Sequence, residues 1–343
     1  MGRRQALYFV APFTVELREE PIPPLTDDKV LVETIVSAIS PGTEMLLYRG
    51  QMPPDMAVDE TIDALTNDMR YPLKYGYAAV GRVVRCGKTV DAGWQDRLVF
   101  AFHPHQSHFL AYPHTLIPIP TSMDPETAVF LPNMETAVSF LMDGRPMIGE
   151  QVTVFGQGIV GLLTTTLLNQ LPLGKLITLD SYPLRRDWST KLGAHLSLDP
   201  TEPGAMAQLH DALQDPRTYT GADLTYELSG NPQALDQAIA VTGFNGRIVI
   251  GSWYGTKQTR LNLGGRFHRS HMRLISSQVS HIAPQWNGRW NKARRLQTAL
   301  KQLEYFPPTR LVTHHIPFTS AAHAYQQLHQ TPEQTIQLLL HYL

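Results

Sequence analysis

Apolar and polar positions follow two different patterns along this chain, and the change of pattern divides it into two kinds of segment. Up to about residue 130, short apolar runs are broken by proline and charged turns, which predicts a β-rich region. Between residues 133 and 280, apolar runs of strand length alternate with apolar positions at helical spacing. This alternation favours a parallel sheet with helices packed against it.

The two patterns locate most of the regular structure. The first region is expected to contain strands at residues 6–9, 14–17, 30–36, 77–84, 97–102 and 112–119, a short helix after Glu44 and a polar surface insert at 52–71. The second region is expected to contain strands at residues 152–155, 176–179, 194–198, 224–228, 247–250 and 274–278. We predict an α/β fold in which residues 133–280 form a doubly wound parallel sheet of six strands. Residues 1–132 form a separate β-rich domain, to which 281–343 return.

Residues 151–180 carry the clearest functional signal. Gly156, Gly158 and Gly161 have the spacing G-x-G-x-x-G between an apolar strand and a helical pattern, and Asp180 ends the next strand. The first glycine allows a tight turn, the second lets a pyrophosphate approach the backbone, and the third lets helix and strand pack closely. The segment therefore predicts a dinucleotide site whose phosphates lie at the start of the helix.

Asp180 also predicts which dinucleotide is bound. Its carboxylate can accept a hydrogen bond from the 2′-hydroxyl of NAD and would repel the 2′-phosphate of NADP. NAD(H) is the expected cofactor, although Arg185 and Arg186 lie close enough to leave NADP(H) open. Other candidates follow later strands, because cofactors lie at the carboxyl ends of strands in open α/β sheets. The cofactor-binding candidates are Gly156, Gly158, Ile159, Val160, Gly161, Asp180, Ser181, Arg186, Ser229, Gly230, Ser252, Trp253, Ser277 and Gln278.

Composition narrows the class of protein. With 43% apolar and 17% charged residues and a formal net charge of −1, the chain has the balance of a folded protein and no basic surplus for nucleic acid or anionic membranes. No apolar window approaches the length of a membrane-spanning helix, so a cytoplasmic enzyme is expected. Cys86 is the only cysteine, which excludes a multi-cysteine zinc site. We expect its thiol to be buried and inert rather than nucleophilic.

The order of the regions, together with residues 76–90, resembles the medium-chain dehydrogenase/reductase superfamily over nearly the whole chain. Zinc alcohol dehydrogenases of that superfamily carry G-H-E-x₂-G-x₅-G-x₂-V, and this chain keeps Gly76, Gly81, Gly87 and Val90 at those spacings. The resemblance implies a GroES-like catalytic domain, a Rossmann domain, a nicotinamide cofactor, a small carbonyl or alcohol substrate in the cleft between the domains, and a homodimer or homotetramer.

The zinc ligands of that superfamily are replaced in this chain. Tyr77 and Ala78 stand at the family's His and Glu, and Pro41 stands at the cysteine of G-x-C-G-T-D. The family's third ligand, a cysteine shortly before a Thr-Ala or Thr-Gly pair, has no counterpart near residues 132–136. The cysteine-rich structural zinc lobe is also missing. The resemblance therefore implies an enzyme without catalytic zinc, in which hydrogen bonds from the protein stabilise the reacting oxygen.

Three stretches, at residues 40–44, 71–84 and 263–280, resemble the subgroup around bacteriochlorophyllide a dehydrogenase. The known member of that subgroup oxidises a 1-hydroxyethyl side chain on a chlorin ring to acetyl. Because kinship at the level of the fold does not determine the substrate, this resemblance implies a secondary alcohol and no particular compound.

The resemblance points to Tyr77, Thr43, His103 and His105 as catalytic candidates. Tyr77 would donate to a carbonyl oxygen, with packing into the space left by zinc as its alternative role. Thr43 matches the position that passes the alcohol proton to solvent in zinc alcohol dehydrogenases, with a helix N-cap as its alternative. His103 or His105 would act as general acid or base near neutral pH.

Two other roles for the histidines stay open at this stage. They can be hydrogen-bonded structural residues of a loop. They can also form a relocated metal site with Glu44 or Glu135.

We therefore predict a zinc-independent NAD(P)-dependent oxidoreductase that moves hydride between nicotinamide and a secondary alcohol or ketone. The first alternative is a zinc-free reductase of an activated C=C bond, as in quinone and enoyl reductases of the superfamily. The second is an NAD(H)-binding sensor without catalytic activity.

Overall fold

The computed structural model describes residues 2–53, 62–65, 70–214 and 220–342. It divides the chain into two compact units, Met1–Pro132 with Leu300–Leu343, and Asn133–Ala299. The sequence analysis assigned 281–299 to the first unit, whereas these residues belong to the second. Most of the insert expected at 52–71 lies outside the described residues.

The first unit is built mainly from strands. Its elements up to the unit boundary are β1 (Arg3–Ala11), β2 (Thr14–Pro21), β3 (Val30–Ala38), α1 (Thr43–Tyr48), β4 (Ala79–Cys86), β5 (Leu98–Ala101), β6 (His108–Ala111), β7 (Ile117–Pro118) and α2 (Pro125–Ala128). The strand expected at 112–119 is reduced to β7, because Pro113 begins a single 3₁₀ turn, Pro113–Thr115, that replaces its first half. The strand β6 was not predicted.

The second unit alternates strands and helices after α3 (Leu131–Gly144), the helix in which it begins. They are β8 (Gln151–Phe155), α4 (Ile159–Leu168), β9 (Lys175–Leu179), α5 (Pro183–Lys191), β10 (Leu196–Leu198), α6 (Ala205–Ala212), β11 (Ala222–Glu227), α7 (Gln233–Val241), β12 (Thr242–Ile250) and β13 (Arg273–Ser276). The chain continues with α8 (Lys292–Tyr305), β14 (Val312–Pro317), α9 (Ala321–Gln330) and β15 (Gln337–His341).

Short helical turns connect these elements. The 3₁₀ turns not yet named are Asp63–Leu65, Ala92–Trp94, Pro284–Trp286, Pro308–Leu311, Phe318–Ser320 and Pro332–Gln334, and a kinked turn of π type spans Leu263–Phe267. No helix in the described ranges combines the length and apolarity that crossing a bilayer would require.

The sheet of the second unit is parallel throughout the described residues, in the order β10-β9-β8-β11-β12-β13. This is the doubly wound arrangement with a reversal of strand order between β8 and β11, as predicted. Phe155 pairs with Leu179 and with Glu227, and Glu227 pairs with Ile250, so the four strands end level with one another. The loops after these strands therefore lie along one edge of the sheet.

The mixed sheet of the first unit is organised around β3. This strand pairs antiparallel with β4, β6 and β15, while β14 runs parallel to β15 at the outer edge. Val30, Val32, Val83, Val99 and Phe109 fill one core beneath the sheet. Because Ser37 pairs with Ala79, the end of β3 lies beside the start of β4, where Tyr77 enters.

A buried ion pair connects α3 to α8 in the second unit. Arg295 and Glu135 are almost fully buried, and both Nε and Nη2 of Arg295 donate to Oε1 of Glu135, at 3.1 and 3.0 Å. Arg295 also donates to Ser139 and to the carbonyls of His281 and Val279. Burial raises the pKa of Glu135 and the charge of Arg295 opposes that rise. These contacts explain why residues 281–299 belong to this unit, and they use Glu135 as a structural anion.

Candidate functional site

The glycine turn after β8 shows which of its glycines the fold itself requires. Gly156 has φ +91°, and a Cβ there would lie 2.5 Å from the Cα of Ser229. A Cβ on Gly161 would lie 2.1 Å from the carbonyl oxygen of Gly156. Gly158 differs, because its φ is −64° and no protein atom lies within 4 Å of the position of a Cβ. The protein thus leaves open space beside Gly158, where a pyrophosphate approaches in a dinucleotide fold.

The helix that follows this open space is uncapped by side chains. Helix α4 begins at Ile159, and its N-cap residue Gly158 contributes no side-chain hydrogen bond. The first amide groups of an α-helix have no partner within the helix, and the helix dipole favours negative charge at that end. Ile159 is buried and Val160 half-buried, so their backbone amides rather than their side chains are suited to bind a phosphate.

Asp180 lies at the end of β9, against the same turn. Its carboxylate accepts hydrogen bonds from the backbone amides of Gln157 (2.7 Å) and Tyr182 (2.9 Å), and its side chain is buried. Arg186 donates to Asp199 (2.9 Å) and to the carbonyl of Asp180 (2.9 Å), so its guanidinium serves an internal ion pair. Ser181 is exposed beside them.

The loops after β11 and β12 meet next to the glycine turn. The amide of Gly230 donates to Oγ of Ser252 at 2.8 Å, which joins two of the predicted positions, while Trp253 is exposed. Glu227, which the sequence analysis missed, is fully buried and accepts from the amide and hydroxyl of Ser229 and from the hydroxyl of Tyr254. An acid that ends an apolar strand before Ser-Gly was the available sequence signal.

Two predicted cofactor residues follow the edge strand β13. Oγ of Ser277 donates to Oδ2 of Asp143 at 2.6 Å and is buried, whereas Gln278 is exposed and bonds to Ser280. Desolvation raises the pKa of Asp143, and the hydrogen bond from Ser277 opposes that rise. Cofactor contact by Ser277 and Gln278 stays a prediction.

In the first unit, Tyr77 and Thr43 come together at one serine. The hydroxyl of Tyr77 donates to Oγ of Ser40 at 2.7 Å, and the amide of Thr43 donates to the same oxygen at 3.3 Å. Tyr77, Ser40 and Thr43 are all partly exposed. Tyr77 is therefore more than an apolar filler, and Thr43 is the first residue of α1, whose N-cap is Gly42.

A buried carboxylate holds this group in place. Glu44 accepts from the amide of Ser40 (2.9 Å) and from the hydroxyl of Tyr325, and its Oε2 lies 3.0 Å from Nε2 of His105. Nδ1 of His105 lies 2.7 Å from Oγ of Ser37, which in turn lies 2.9 Å from the hydroxyl of Tyr342.

The network uses His105 as an internal partner rather than as an exposed group. His105 and Glu44 are both fully buried, and the imidazole ring fills the space where a Cβ on Gly76 would lie. The network thereby sets the backbone immediately before Tyr77. Ser37, Tyr325 and Tyr342 were not predicted, because nothing local in the sequence links them to residues 40–44.

His103 occupies a different environment from His105. Its ring stacks on Phe109 with centroids 4.0 Å apart, and its Nδ1 lies 3.1 Å from Nε2 of Gln106. Desolvation lowers the pKa of His103 to about 3. The ring is therefore neutral near pH 7, which suits a packed structural histidine better than a proton donor.

Several positions that carry zinc ligands in the superfamily carry other residues in this chain. Pro41 offers no ligand atom, Ala78 offers none, and the one thiol, Cys86, has a pKa that burial raises. Within the described ranges, the three-residue group of metal-ligating side chains that the structure brings together lies elsewhere, at Glu126, His315 and His341. His103, His105, Glu44 and Glu135, which the sequence analysis considered for a relocated metal site, do not form such a group in the part of the chain that the structure describes.

Comparison with known proteins relates this chain to dehydrogenases. Residues 160–296 match the family model described as "Zinc-binding dehydrogenase". D-guloside 3-dehydrogenase from Escherichia coli (strain K12) is 24% identical over 272 residues, which cover 77% of this chain and 76% of that protein. These matches support an NAD(P)-dependent oxidoreductase that is similar to the medium-chain dehydrogenases. The matched segment lies outside residues 40–44 and 77–78, so the family's description carries no information about ligands there.

Solved structures show the same medium-chain fold over the whole chain. An NADH complex described as short chain alcohol dehydrogenase (rspB) from E. coli CFT073 has a TM-score of 0.79 at 16% identity and covers 99% of both chains. A zinc-binding dehydrogenase from Sinorhizobium meliloti 1021 bound to NADP has a TM-score of 0.78 at 16% identity, covering 99% of this chain and 100% of that one. Both parts of the predicted architecture, the Rossmann sheet and the GroES-like unit, are thereby confirmed.

The environment of His103 predicts a pH-dependent contribution to stability. Because its pKa is about 3 in the fold and 6.5 in the reference state, the unfolded chain binds more protons between these values. The neutral ring therefore makes its full contribution to the unfolding free energy above about pH 6.5, and this contribution is lost as the pH falls towards 3. His103→Phe keeps the stacking on Phe109 and removes the titration. In urea unfolding between pH 4 and 6, the unfolding free energy of the variant is expected to rise less steeply with pH than that of the wild type. The difference in slope is up to about 1.4 kcal/mol per pH unit.

His114→Phe is the matched control, since it removes an exposed histidine whose ring stacks on Tyr112. An identical pH slope in His103→Phe and wild type would contradict the assignment of His103 as a neutral ring packed on Phe109.

Proposed function

We propose that this medium-chain dehydrogenase transfers hydride between NAD(H) and a secondary alcohol or ketone without a catalytic zinc ion. The observation that carries the proposal is the hydrogen bond from Tyr77 to Ser40 at the position where the superfamily's zinc enzymes hold a ligand. A phenol can stabilise a carbonyl or alkoxide oxygen by hydrogen bonding, which is the task that zinc performs as a Lewis acid.

Nicotinamide supplies or accepts the hydride, and the residues of this chain handle the oxygen and its proton. In the direction of ketone reduction, Tyr77 donates a hydrogen bond and then its proton to the substrate oxygen. The hydroxyl of Ser40, 2.7 Å away, turns to donate to the phenol oxygen and stabilises the developing negative charge. The amide of Thr43 holds Ser40 in this position. Alcohol oxidation uses the same contacts in reverse.

The buried network supports this role through positioning. Glu44 binds the amide of Ser40 and approaches His105, and His105 packs against Gly76. The buried carboxylate of Glu44 therefore connects directly to Ser40 and, through His105, to the backbone that precedes Tyr77. We assign His105 a positioning role, because it is fully buried and cannot contact a substrate in this arrangement.

The contacts of Asp180 and Arg186 favour NAD(H) over NADP(H). A buried carboxylate at the end of β9 is suited to accept from a ribose hydroxyl and repels a 2′-phosphate. Arg186, a cation that could offset this repulsion, is committed to Asp199. Among the compared proteins one binds NADH and another NADP, so the preference rests on these residues and not on the likeness.

Two independent indications support a secondary alcohol, or the corresponding ketone, as the class of substrate. D-guloside 3-dehydrogenase is named for oxidation of a sugar derivative. The likeness of residues 40–44, 71–84 and 263–280 to the bacteriochlorophyllide a dehydrogenase subgroup implies a secondary alcohol on a larger molecule.

Tyr77→Phe tests the proposed proton donor. The variant keeps the ring and loses the hydroxyl, so turnover with a panel of secondary alcohols and ketones is expected to fall by roughly 10²–10³-fold. The dissociation constant for NADH should stay within about twofold, because Tyr77 makes no predicted cofactor contact. Initial rates and NADH fluorescence titrations measure the two quantities.

Tyr305→Phe is the control, since Tyr305 is 73% exposed and lies in none of the networks described above. Unchanged turnover in Tyr77→Phe would remove Tyr77 from the mechanism. Activity that disappears with a chelator and returns with stoichiometric zinc would contradict the zinc-independent proposal while leaving Tyr77 to be explained separately.

Asp180→Asn tests the cofactor preference. The amide keeps an oxygen that can accept from Gln157 or Tyr182 but removes the charge that repels a 2′-phosphate. The ratio of the NADPH to the NADH dissociation constant is expected to fall by about tenfold, which corresponds to about 1.4 kcal/mol. Asp187→Asn, an exposed acid on α5, is the control. Tighter binding of NADPH than NADH by the wild type would contradict the assignment.

A further inference from the structure

Three metal-ligating side chains converge at a partly exposed position of the first unit, and none of them belongs to the hydrogen-bonded group around Tyr77. Nδ1 of His315 lies 3.0 Å from Nε2 of His341, and the two nitrogens lie 3.5 and 3.6 Å from Oε1 of Glu126. We propose that Glu126, His315 and His341, here called the C-terminal triad, bind a divalent transition-metal ion of the Zn²⁺ class.

The fold brings the triad together from distant parts of the sequence. His315 in β14 pairs with Leu339 of β15, so His341, two residues further on, points to the same face of the sheet. Glu126 comes from α2, whose first turn is capped by Asp124. Each ligand therefore sits on a regular element rather than on a flexible loop, which keeps the three atoms in a defined arrangement.

The distances agree with the coordination sphere of zinc. At Zn–N and Zn–O distances of about 2.0–2.1 Å, the ligand atoms of a tetrahedral site lie about 3.3–3.4 Å apart. The three separations in the triad, 3.0, 3.5 and 3.6 Å, bracket that value. A hydrogen bond between the two imidazoles uses one proton and joins only two of the three atoms, whereas a cation contacts all three.

The chemistry of the donors indicates which ions fit. Two imidazoles and one carboxylate suit Zn²⁺, Co²⁺, Ni²⁺ and Cu²⁺ better than Ca²⁺ or Mg²⁺, which prefer sets of oxygen ligands. The side chains of His315, His341 and Glu126 are 52%, 32% and 29% exposed, so an ion can enter directly from solvent. With three protein ligands, water completes the coordination.

The triad is separate from the proposed oxygen site, and its role would be structural. An ion bound there would connect α2 to the two C-terminal strands, and any ligand that binds only the folded state raises its stability. The inference does not depend on the absence of catalytic zinc, because the two sites share no residue.

The experiment uses the full chain after removal of metals with a chelator. Isothermal titration with ZnSO₄ and the visible absorbance of added Co²⁺ measure binding, and thermal unfolding measures the consequence. Wild type is expected to bind one equivalent that His315→Ala, His341→Ala and Glu126→Gln each weaken, on the order of 100-fold for the histidine variants. Zn²⁺ should raise the melting temperature of wild type and of the control His323→Ala, whose histidine is exposed on α9.

The number of zinc equivalents that bind distinguishes the C-terminal triad from any other zinc site. Loss of one equivalent in the double variant His315→Ala/His341→Ala supports the triad, even if a second equivalent binds elsewhere. Equal stoichiometry and affinity in wild type and the double variant would overturn the proposal. Far-UV circular dichroism and urea unfolding in EDTA verify that the variants are folded, which is expected because the substituted side chains lie at the surface.

Discussion

The dinucleotide half of the molecule depends on one close backbone contact. The carbonyl oxygen of Gly156 occupies the place where Gly161 would carry a Cβ, and Gly156 itself turns through a positive φ against Ser229. This contact sets helix α4 directly on the end of β8 and aligns the loops after β9 and β11 beside it. Asp180 completes the arrangement by accepting from the amide of Gln157 inside the turn. Once these constraints are met, Gly158 remains the glycine that no internal contact requires.

The other unit depends on a buried carboxylate. Glu44 is removed from water, and its cost of burial is offset by hydrogen bonds from Ser40 and Tyr325 and by the approach of His105. The result is a preorganised group in which Ser40 can serve both Tyr77 and Thr43. In our proposal, hydrogen bonds held by this network take over the stabilisation of the reacting oxygen, and no redox-active or Lewis-acidic ion is needed at that position.

Sequence reasoning predicted the parts of the fold that depend on local spacing, and the functional residues assigned to them stay predictions. The glycine spacing, the acid at the end of the second strand and the Ser-Gly after β11 all belong to short stretches whose geometry follows from the strand ends of a parallel sheet. Tyr77 was predicted in the same way, from a motif in which Tyr77 and Ala78 replace the family's His and Glu. The strand β6 was not predicted, because the prolines and histidines around it disrupt the apolar alternation.

Contacts between distant segments could not be predicted in this way. The partner of Arg186 is Asp199, which follows another strand, and its pairing changes the interpretation of the cofactor preference. His105 was one of two histidines predicted as general acid or base, with a structural role left open, and pairing with Glu44 and Ser37 buries it completely. The C-terminal triad joins residue 126 to residues 315 and 341 through the register of β14 and β15, which no single-sequence pattern encodes.

The most direct test of the account is a paired measurement of NADH affinity and unfolding free energy in Gly158→Ala. Because a Cβ there meets no protein atom and φ is ordinary, the unfolding free energy is expected to change by less than about 1 kcal/mol, the scale of an N-cap exchange. The added methyl would occupy the space beside the pyrophosphate, so the NADH dissociation constant should rise by at least about tenfold. A variant that binds NADH as tightly as the wild type would show that the dinucleotide lies elsewhere.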